Sequence, residues 1–233
     1  NTALSDLRQA WAPHLCGDPH WGVVVQHGVE AYRDGPFAFT SPAIVNTIYG
    51  RWWKPLDEKP GPRPIASSPL PWTGDFEDGL GNKITMHAYA NPEDRNDELK
   101  RADGFGVAVF NKKNRTITFE CWPRFSKVTD GDKAQFPGWP ITFKMSENDG
   151  RAPKGWLPRL DFITPDPVVQ VIREETGEVL YTIRVKGKNF QPKVYEAGDY
   201  LIKVGRDFPT MKVGSKFTAM RDSKIAGSQK VSL

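Results

Sequence analysis

Two apolar segments in the middle of the chain constrain its fold most strongly. Residues 104–110 and 116–122 are rich in Val, Ile, Phe and Trp, the residue types that favour β-strands. The polar segment between them, residues 111–115, has the length of a hairpin loop. The sequence therefore predicts an antiparallel hairpin at this point of the chain.

The last third of the chain continues as short strands separated by turn residues. Predicted strands cover residues 168–173, 179–185, 199–204 and 216–219. A spacing of about ten residues with Gly-containing turns is typical of a small β-sandwich. A segment rich in Gly, Pro, Asp and Asn at 147–158 precedes these strands. We therefore predict two domains, residues 1–158 and residues 159–233.

The densest metal-binding chemistry lies in residues 14–28, which hold three of the four histidines. Asp18 and His20 are two residues apart, so in an extended backbone both side chains leave the same face. The apolar run Val23–Val25 predicts a buried strand that ends at His27. A metal site needs about three or four protein ligands. The alternative is a structural role for a chance Asp-x-His pair.

The segment after residue 28 adds further polar candidates. Asn46 and Arg51 stand among aromatic and small residues, and the nearby tryptophans are expected to pack in a core. Six prolines at 55–71 predict an extended connection along the surface, of a kind that often crosses an active site or an interface. The segment 83–89 predicts a strand that carries His87.

The beginning of the chain predicts a helix over residues 4–11. It must end by Ala12, because Pro13 cannot continue the helical hydrogen bonds. A short strand is expected next, at residues 14–16, with His14 facing the core. The chain begins without Met or a signal-peptide pattern, which indicates a processed or fragmentary polypeptide.

Composition and charge exclude several classes of protein. The two cysteines, Cys16 and Cys121, lack CxxC spacing, which excludes a zinc finger or a thioredoxin motif. No stretch reaches the roughly 20 apolar residues of a membrane span. The net charge of +4 lies entirely in residues 159–233, where thirteen Lys and Arg face nine Asp and Glu. This excess is too small to predict nucleic acid as a specific ligand.

Seven segments, in order, resemble the C-terminal part of a PhoD-type alkaline phosphatase, a branch of the calcineurin-like metallophosphoesterases. The resemblance covers residues 1 to about 158. The segments are Gly17–His20, Val25–Gly28, Phe39–Asn46, Gly81–Ala88, Asp103–Gly106, Ile117–Pro123 and Phe136–Pro140.

The resemblance implies an α+β fold for the chain: the C-terminal portion of a four-layer α/β/β/α sandwich, followed by the small β-sandwich. It implies a phosphate-ester substrate and a centre of two metal ions, either iron with calcium, or zinc or manganese. Asp18 and His20 match a late ligand motif, so the resemblance gives both of them catalytic and metal-binding roles. His27, Asn46, Arg51 and His87 are predicted to bind substrate near that centre.

The chain departs from the family in one respect, because three earlier ligand motifs are absent from it. The resemblance therefore implies a partner: the N-terminal part of the phosphatase domain, on the same precursor or on another chain. Without that part the chain is expected to be inactive. The family likeness also implies a secreted protein, periplasmic or extracellular, and leaves self-association into a homo-oligomer open.

Two other functions remain open at this point. The chain could be a non-catalytic surface or filament-forming protein that keeps the phosphatase scaffold, as the missing ligands would allow. It could also belong to a related metal-dependent hydrolase that acts on sulfate esters, because the same metal-bound hydroxide serves either reaction.

Overall fold

A computed structural model describes residues 2–44, 51–94 and 96–233 of the chain. The contacts among these residues divide them into two compact units. The first unit takes its residues from 1–7 and 12–150, and the second takes them from 8–11 and 151–233.

One α-helix, α1 over Thr2–Gln9, lies in the described part of the chain. It begins two residues before the predicted start and ends ahead of Pro13, as the sequence predicts. The described residues also form 3₁₀ helices at Glu98–Lys100, Val128–Asp130, Asp132–Ala134 and Met145–Asn148. None of the helices in this part of the chain has the length and apolar character needed to cross a membrane.

The first unit contains two β-sheets. Its strands are β1 His14–Cys16, β2 Val23–His27, β3 Phe37–Thr40, β4 Gly74–Glu77, β5 Lys83–Tyr89, β6 Gly104–Asn111, β7 Thr116–Pro123 and β8 Ile141–Lys144. One sheet has the order β1-β3-β2-β5-β4, in which β1 runs parallel to β3 and the other pairs are antiparallel. The other sheet, β6-β7-β8, contains the predicted hairpin, which is confirmed.

Apolar side chains from the two sheets of the first unit form a common core. Val24 and Phe39 come from the five-stranded sheet, and Phe119 and Cys121 come from the three-stranded sheet. The rings of Phe39 and Phe119 stack with their centroids 4.9 Å apart. Burial of each large apolar side chain stabilises the fold by roughly 1.5–3 kcal/mol. The core thus joins β2, β3 and β5 of one sheet to the other sheet.

The predicted α+β class, with part of a four-layer α/β/β/α sandwich, is wrong. Strands are the most abundant regular structure among the described residues, and the one α-helix there has 8 residues. A helical layer needs several helices of about 11 residues each. Gly, Pro and polar turns interrupt the apolar segments of this chain too often for helices of that length. The expected helical layers came from the family resemblance alone.

The second unit is rich in strands, which form three small sheets, and the packing of these sheets as the predicted small β-sandwich stays a prediction. The strands are β9 Gly155–Trp156, β10 Arg159–Phe162, β11 Val168–Arg173, β12 Val179–Arg184, β13 Asn189–Phe190, β14 Lys193–Val194, β15 Asp199–Gly205, β16 Met211–Thr218 and β17 Ser228–Val231. The sheets have the orders β12-β11-β15-β16, β13-β10-β17 and β14-β9. Gly177, with φ of 72°, makes the tight turn between β11 and β12.

Candidate functional site

The turn between β1 and β2 carries Asp18 and His20. The carbonyl oxygen of Gly17 accepts a hydrogen bond from the His20 N–H at 3.0 Å, which closes the turn. His20 has φ of 55°, in the left-handed region that few non-glycine residues adopt. Such strained conformations cluster at functional sites. The strain therefore singles out His20 within the turn.

The turn is held firmly at both ends. The Cys16 carbonyl oxygen accepts a hydrogen bond from the Ser41 N–H at 2.9 Å, and the Gly22 carbonyl oxygen accepts one from the Ala90 N–H at 2.8 Å. Gly22 is buried, and a Cβ atom added there would lie 2.6 Å from Cys121 Sγ. A glycine is therefore required at position 22, and the turn rests directly on the core.

The side chains of Asp18 and His20 are both exposed. An imidazole and a carboxylate are donors that suit zinc, iron or manganese. Across residues 2–44, 51–94 and 96–233, no group of three or more His, Cys, Asp and Glu side chains is arranged to hold a metal ion. The turn supplies two donors, whereas a metal site needs about three or four. Two donors are too few to form a metal site by themselves.

His27 lies at the end of β2 that is remote from the turn. His27 is four positions after Val23, so the two residues are about 13 Å apart along the strand. Burial lowers the pKa of His27, nearby His14 lowers it further, and Asp78 opposes both effects. His14 itself is exposed, so the expectation that it faces the core is wrong.

His87 lies within β5, and its ring packs against Phe37 with the ring centroids 4.9 Å apart. Its Nε2 atom is buried and has no hydrogen-bond partner among the described residues. Burial is the main cause that lowers the pKa of His87 to about 4. The positive charge of Arg33 lowers this pKa further, and the negative charge of Asp75 acts in the opposite direction. The imidazole is therefore neutral at pH 7, and the residue as a whole is half-buried beside Phe37.

Asp75 is the buried centre of an ionic cluster, which sequence patterns did not single out. Asp75 is 4% exposed and accepts hydrogen bonds from Thr85 Oγ1 at 2.7 Å, Arg33 Nε at 3.0 Å and Arg63 Nε at 2.7 Å. Burial acts to raise the pKa of Asp75. The hydrogen bonds from Thr85, Arg63 and Arg33 outweigh burial and hold the pKa below its ordinary value. The carboxylate is fully engaged within the protein.

The Asp75 cluster fastens the proline-rich connection, residues 55–71, to β4. Arg63 belongs to this connection, and the carbonyl oxygen of Pro62 accepts a hydrogen bond from the Asp75 N–H at 3.0 Å. The segment contains no strand or helix, which confirms the predicted extended connection. No sequence motif marks the cluster, because its members lie on separate turns and strands. That the connection crosses an active site stays a prediction.

Asp18 and His20 thus lie in one turn, whereas His27 and His87 lie on strands of the five-stranded sheet. Arg51 is exposed, and its substrate-binding role stays a prediction. Asn46 lies outside the described residues. No protein-family model, curated protein or solved structure matches the chain.

Proposed function

We propose that the chain contributes the Asp18–His20 turn to a metal-dependent hydrolase of phosphate mono- or diesters, related to the PhoD-type phosphatases. One observation carries the proposal: a carboxylate and an imidazole, two residues apart, stand exposed on a hydrogen-bonded turn at the end of a packed sheet. The ordered sequence motifs support the same reaction class.

The turn suits a shared metal centre for three reasons. Its ends are bonded to neighbouring backbone, so the main chain that carries the two donors is held in place. Both side chains are exposed, which leaves room for ligands from another segment of polypeptide. Two bound metal ions would supply a hydroxide and stabilise the phosphoryl oxygens during in-line attack. The role of Asp18 and His20 is to hold and orient one edge of that centre.

The test uses the complete polypeptide that carries these 233 residues, with metal content and hydrolysis of p-nitrophenyl phosphate as readouts. The His20→Ala variant is expected to lose about 100-fold or more in kcat/KM, because even residues that merely support a metal ligand are worth about 10- to 100-fold. His14→Ala is the matched control, since His14 is an exposed histidine on the preceding strand. Its activity is expected to remain within about 3-fold of the wild type.

Other results would contradict the proposal. A complete protein that contains no transition metal or calcium cannot work in this way. Full activity in His20→Ala, with the melting temperature unchanged, would also contradict it and would favour a non-catalytic role for the turn. Faster hydrolysis of p-nitrophenyl sulfate than of the phosphate esters would assign the same centre to sulfate esters instead.

A further inference from the structure

Two neighbouring loops of the second unit carry exposed apolar side chains. One loop joins β15 to β16, and its Phe208 is 77% exposed. The other loop follows β10, and its Ile163 is 67% exposed. Residues of both loops line one small cavity of about 300 Å³, so the loops lie side by side. Exposed apolar side chains with a polar rim are typical of surfaces that bind a partner or a membrane.

Arg184, the last residue of β12, fixes the two loops to each other. Its Nη1 atom donates hydrogen bonds to the carbonyl oxygens of Asp166 at 3.0 Å and Arg206 at 2.8 Å, one in each loop. Its Nη2 atom donates to Asp207 Oδ1 at 3.1 Å. The two loops are therefore held in place against the four-stranded sheet, and a partner that covers them has little chain to order.

The surroundings of the two loops are strongly cationic. Six Lys and Arg residues but two Asp residues occur in the three segments that meet there, residues 163–167, 184–188 and 203–212. The Gly187 N–H donates a hydrogen bond to Asp166 Oδ1 at 2.7 Å, which joins the second segment to the first. The Asp207 carboxylate is engaged by Arg184. Because both carboxylates are already bonded within the protein, the excess positive charge is left to attract an anionic surface.

Most of these cations point into solvent without a counter-charge. Four of them are exposed and make no ion pair with another described residue: Lys186, Lys188, Arg206 and Lys212. Lys203 lies directly opposite Lys212 in the pairing of β15 with β16. Like charges in directly opposite positions of two strands destabilise a sheet. An anionic partner at this position would relieve the repulsion.

We infer that the two loops dock the second unit on an anionic lipid bilayer. Phe208 and Ile163 enter the boundary between headgroups and acyl chains. Arg206 and Lys212 contact the lipid phosphates. A bilayer is favoured over a soluble acidic chain, because an acidic chain would pair with the cations and leave the apolar side chains in water. The inference does not depend on the proposed metal centre, since the Asp18–His20 turn belongs to the first unit.

Cosedimentation of the complete polypeptide with lipid vesicles tests the inference. Vesicles of equal parts phosphatidylglycerol and phosphatidylcholine are expected to bind it about 100-fold more tightly than vesicles of phosphatidylcholine alone, because each Lys or Arg near an anionic surface is worth about 5-fold. Raising NaCl from about 0.1 M to about 1 M shortens the Debye length from about 10 Å to about 3 Å, and is expected to release most of the protein.

The apolar contribution is tested by Phe208→Ala. This variant is expected to bind the anionic vesicles about 10-fold more weakly, because the ring is no longer removed from water. The fold is expected to survive, since the ring is exposed. Phe125→Ala is the matched control: Phe125 is 88% exposed, lies beside Arg124 and belongs to the first unit. Its vesicle binding is expected to change less than about 2-fold.

The charge contribution is tested by the double variant Arg206→Gln, Lys212→Gln, which is expected to weaken binding to the anionic vesicles about 25-fold. The double variant Arg221→Gln, Lys224→Gln is the matched control. It removes the same charge from exposed residues of the loop before β17, and its binding is expected to fall less than about 5-fold.

Four results would overturn the inference. They are absence of vesicle binding at about 0.1 M NaCl, equal binding to neutral and anionic vesicles, and equal losses in the loop variants and their controls. The fourth is retention on immobilised polyglutamate without vesicle binding, which would assign the loops to an acidic protein. His20→Ala is expected to bind vesicles as the wild type does, so vesicle binding and phosphate-ester hydrolysis can fail separately.

Discussion

Asp75 and Asp18 show opposite uses of a carboxylate within one structural unit. Asp75 is buried and receives hydrogen bonds from a hydroxyl and two guanidinium groups. Asp18 is exposed in a turn beside a strained histidine. Both occur in short Gly-containing segments that look alike in sequence. The difference teaches that charge and spacing alone do not mark a site, since the Asp75 cluster uses its bonding capacity to hold the fold together.

The substitution with the largest expected effect is one that disrupts the Asp75 cluster. Asp75→Asn keeps the shape of the side chain but removes the charge that Arg33 and Arg63 share, so we expect the free energy of unfolding to fall by about 3 kcal/mol. Urea denaturation followed by tryptophan fluorescence measures the change. Glu58→Gln is the control in the same connection, because it breaks an exposed ion pair with Lys54, which is worth less than about 1 kcal/mol.

An equal effect of the two variants would contradict the assignment of the Asp75 cluster as the main fastening of the proline-rich connection. The pH dependence gives a further check. The pKa of Asp75 is below its ordinary value in the folded chain. Its contribution is therefore complete above the unfolded pKa and is lost as the pH falls through the folded value. Asp75→Asn should remove this acid-dependent part of the stability.

A smaller effect concerns His87, whose pKa is lowered to about 4. The unfolded chain binds a proton on this histidine near pH 6.5, whereas the folded chain does so near pH 4. Between these values protons favour the unfolded state, so we expect stability to fall by about 2 kcal/mol from about pH 7.5 to about pH 5. His87→Phe should lose this dependence in urea denaturation. The same pH dependence in both proteins would show that His87 is not buried as a neutral group.

The smallest expected change in stability concerns the turn that carries Asp18 and His20, where stability and activity are expected to respond differently to one substitution. His20 has positive φ, a conformation that costs a non-glycine residue about 1 kcal/mol or more. His20→Gly is therefore expected to raise the free energy of unfolding by up to about 1 kcal/mol while abolishing hydrolysis by the complete protein. A marked loss of stability in this variant would show that the imidazole supports the fold, as Asp75 does, and would remove the contrast between the two carboxylate regions.

Much of the local structure could be predicted from residue patterns. The strand with Val23–Val25, the strand at residues 83–89 and the hairpin after Gly104 all form where predicted. These elements depend on neighbouring residues, which a sequence displays directly. The parallel pairing of β1 with β3 depends on residues more than 20 positions apart, and no local pattern specifies it. The predicted fold class was wrong because it was taken from a family likeness and not from the residue patterns of this chain.

The candidate site was predictable in part. Asp18 and His20 are close in sequence, and one turn keeps them close in space. His27 and His87 seemed equally suitable as residue types. His27 lies at the far end of its strand from the turn, and the ring of His87 packs against Phe37. Tertiary packing decides such features, and a residue pattern does not contain it.

The contact between Gly22 and Cys121 gives the turn a chemical reporter. Cys121 is buried in the core under Gly22, and burial raises the pKa of its thiol, so the reactive thiolate is rare at neutral pH. Alkylation of Cys121 must then wait until the two sheets separate. In a Cys16→Ser background, the rate of Cys121 alkylation would measure how often the core beneath Gly22 opens. A metal ion bound by the turn would slow that rate.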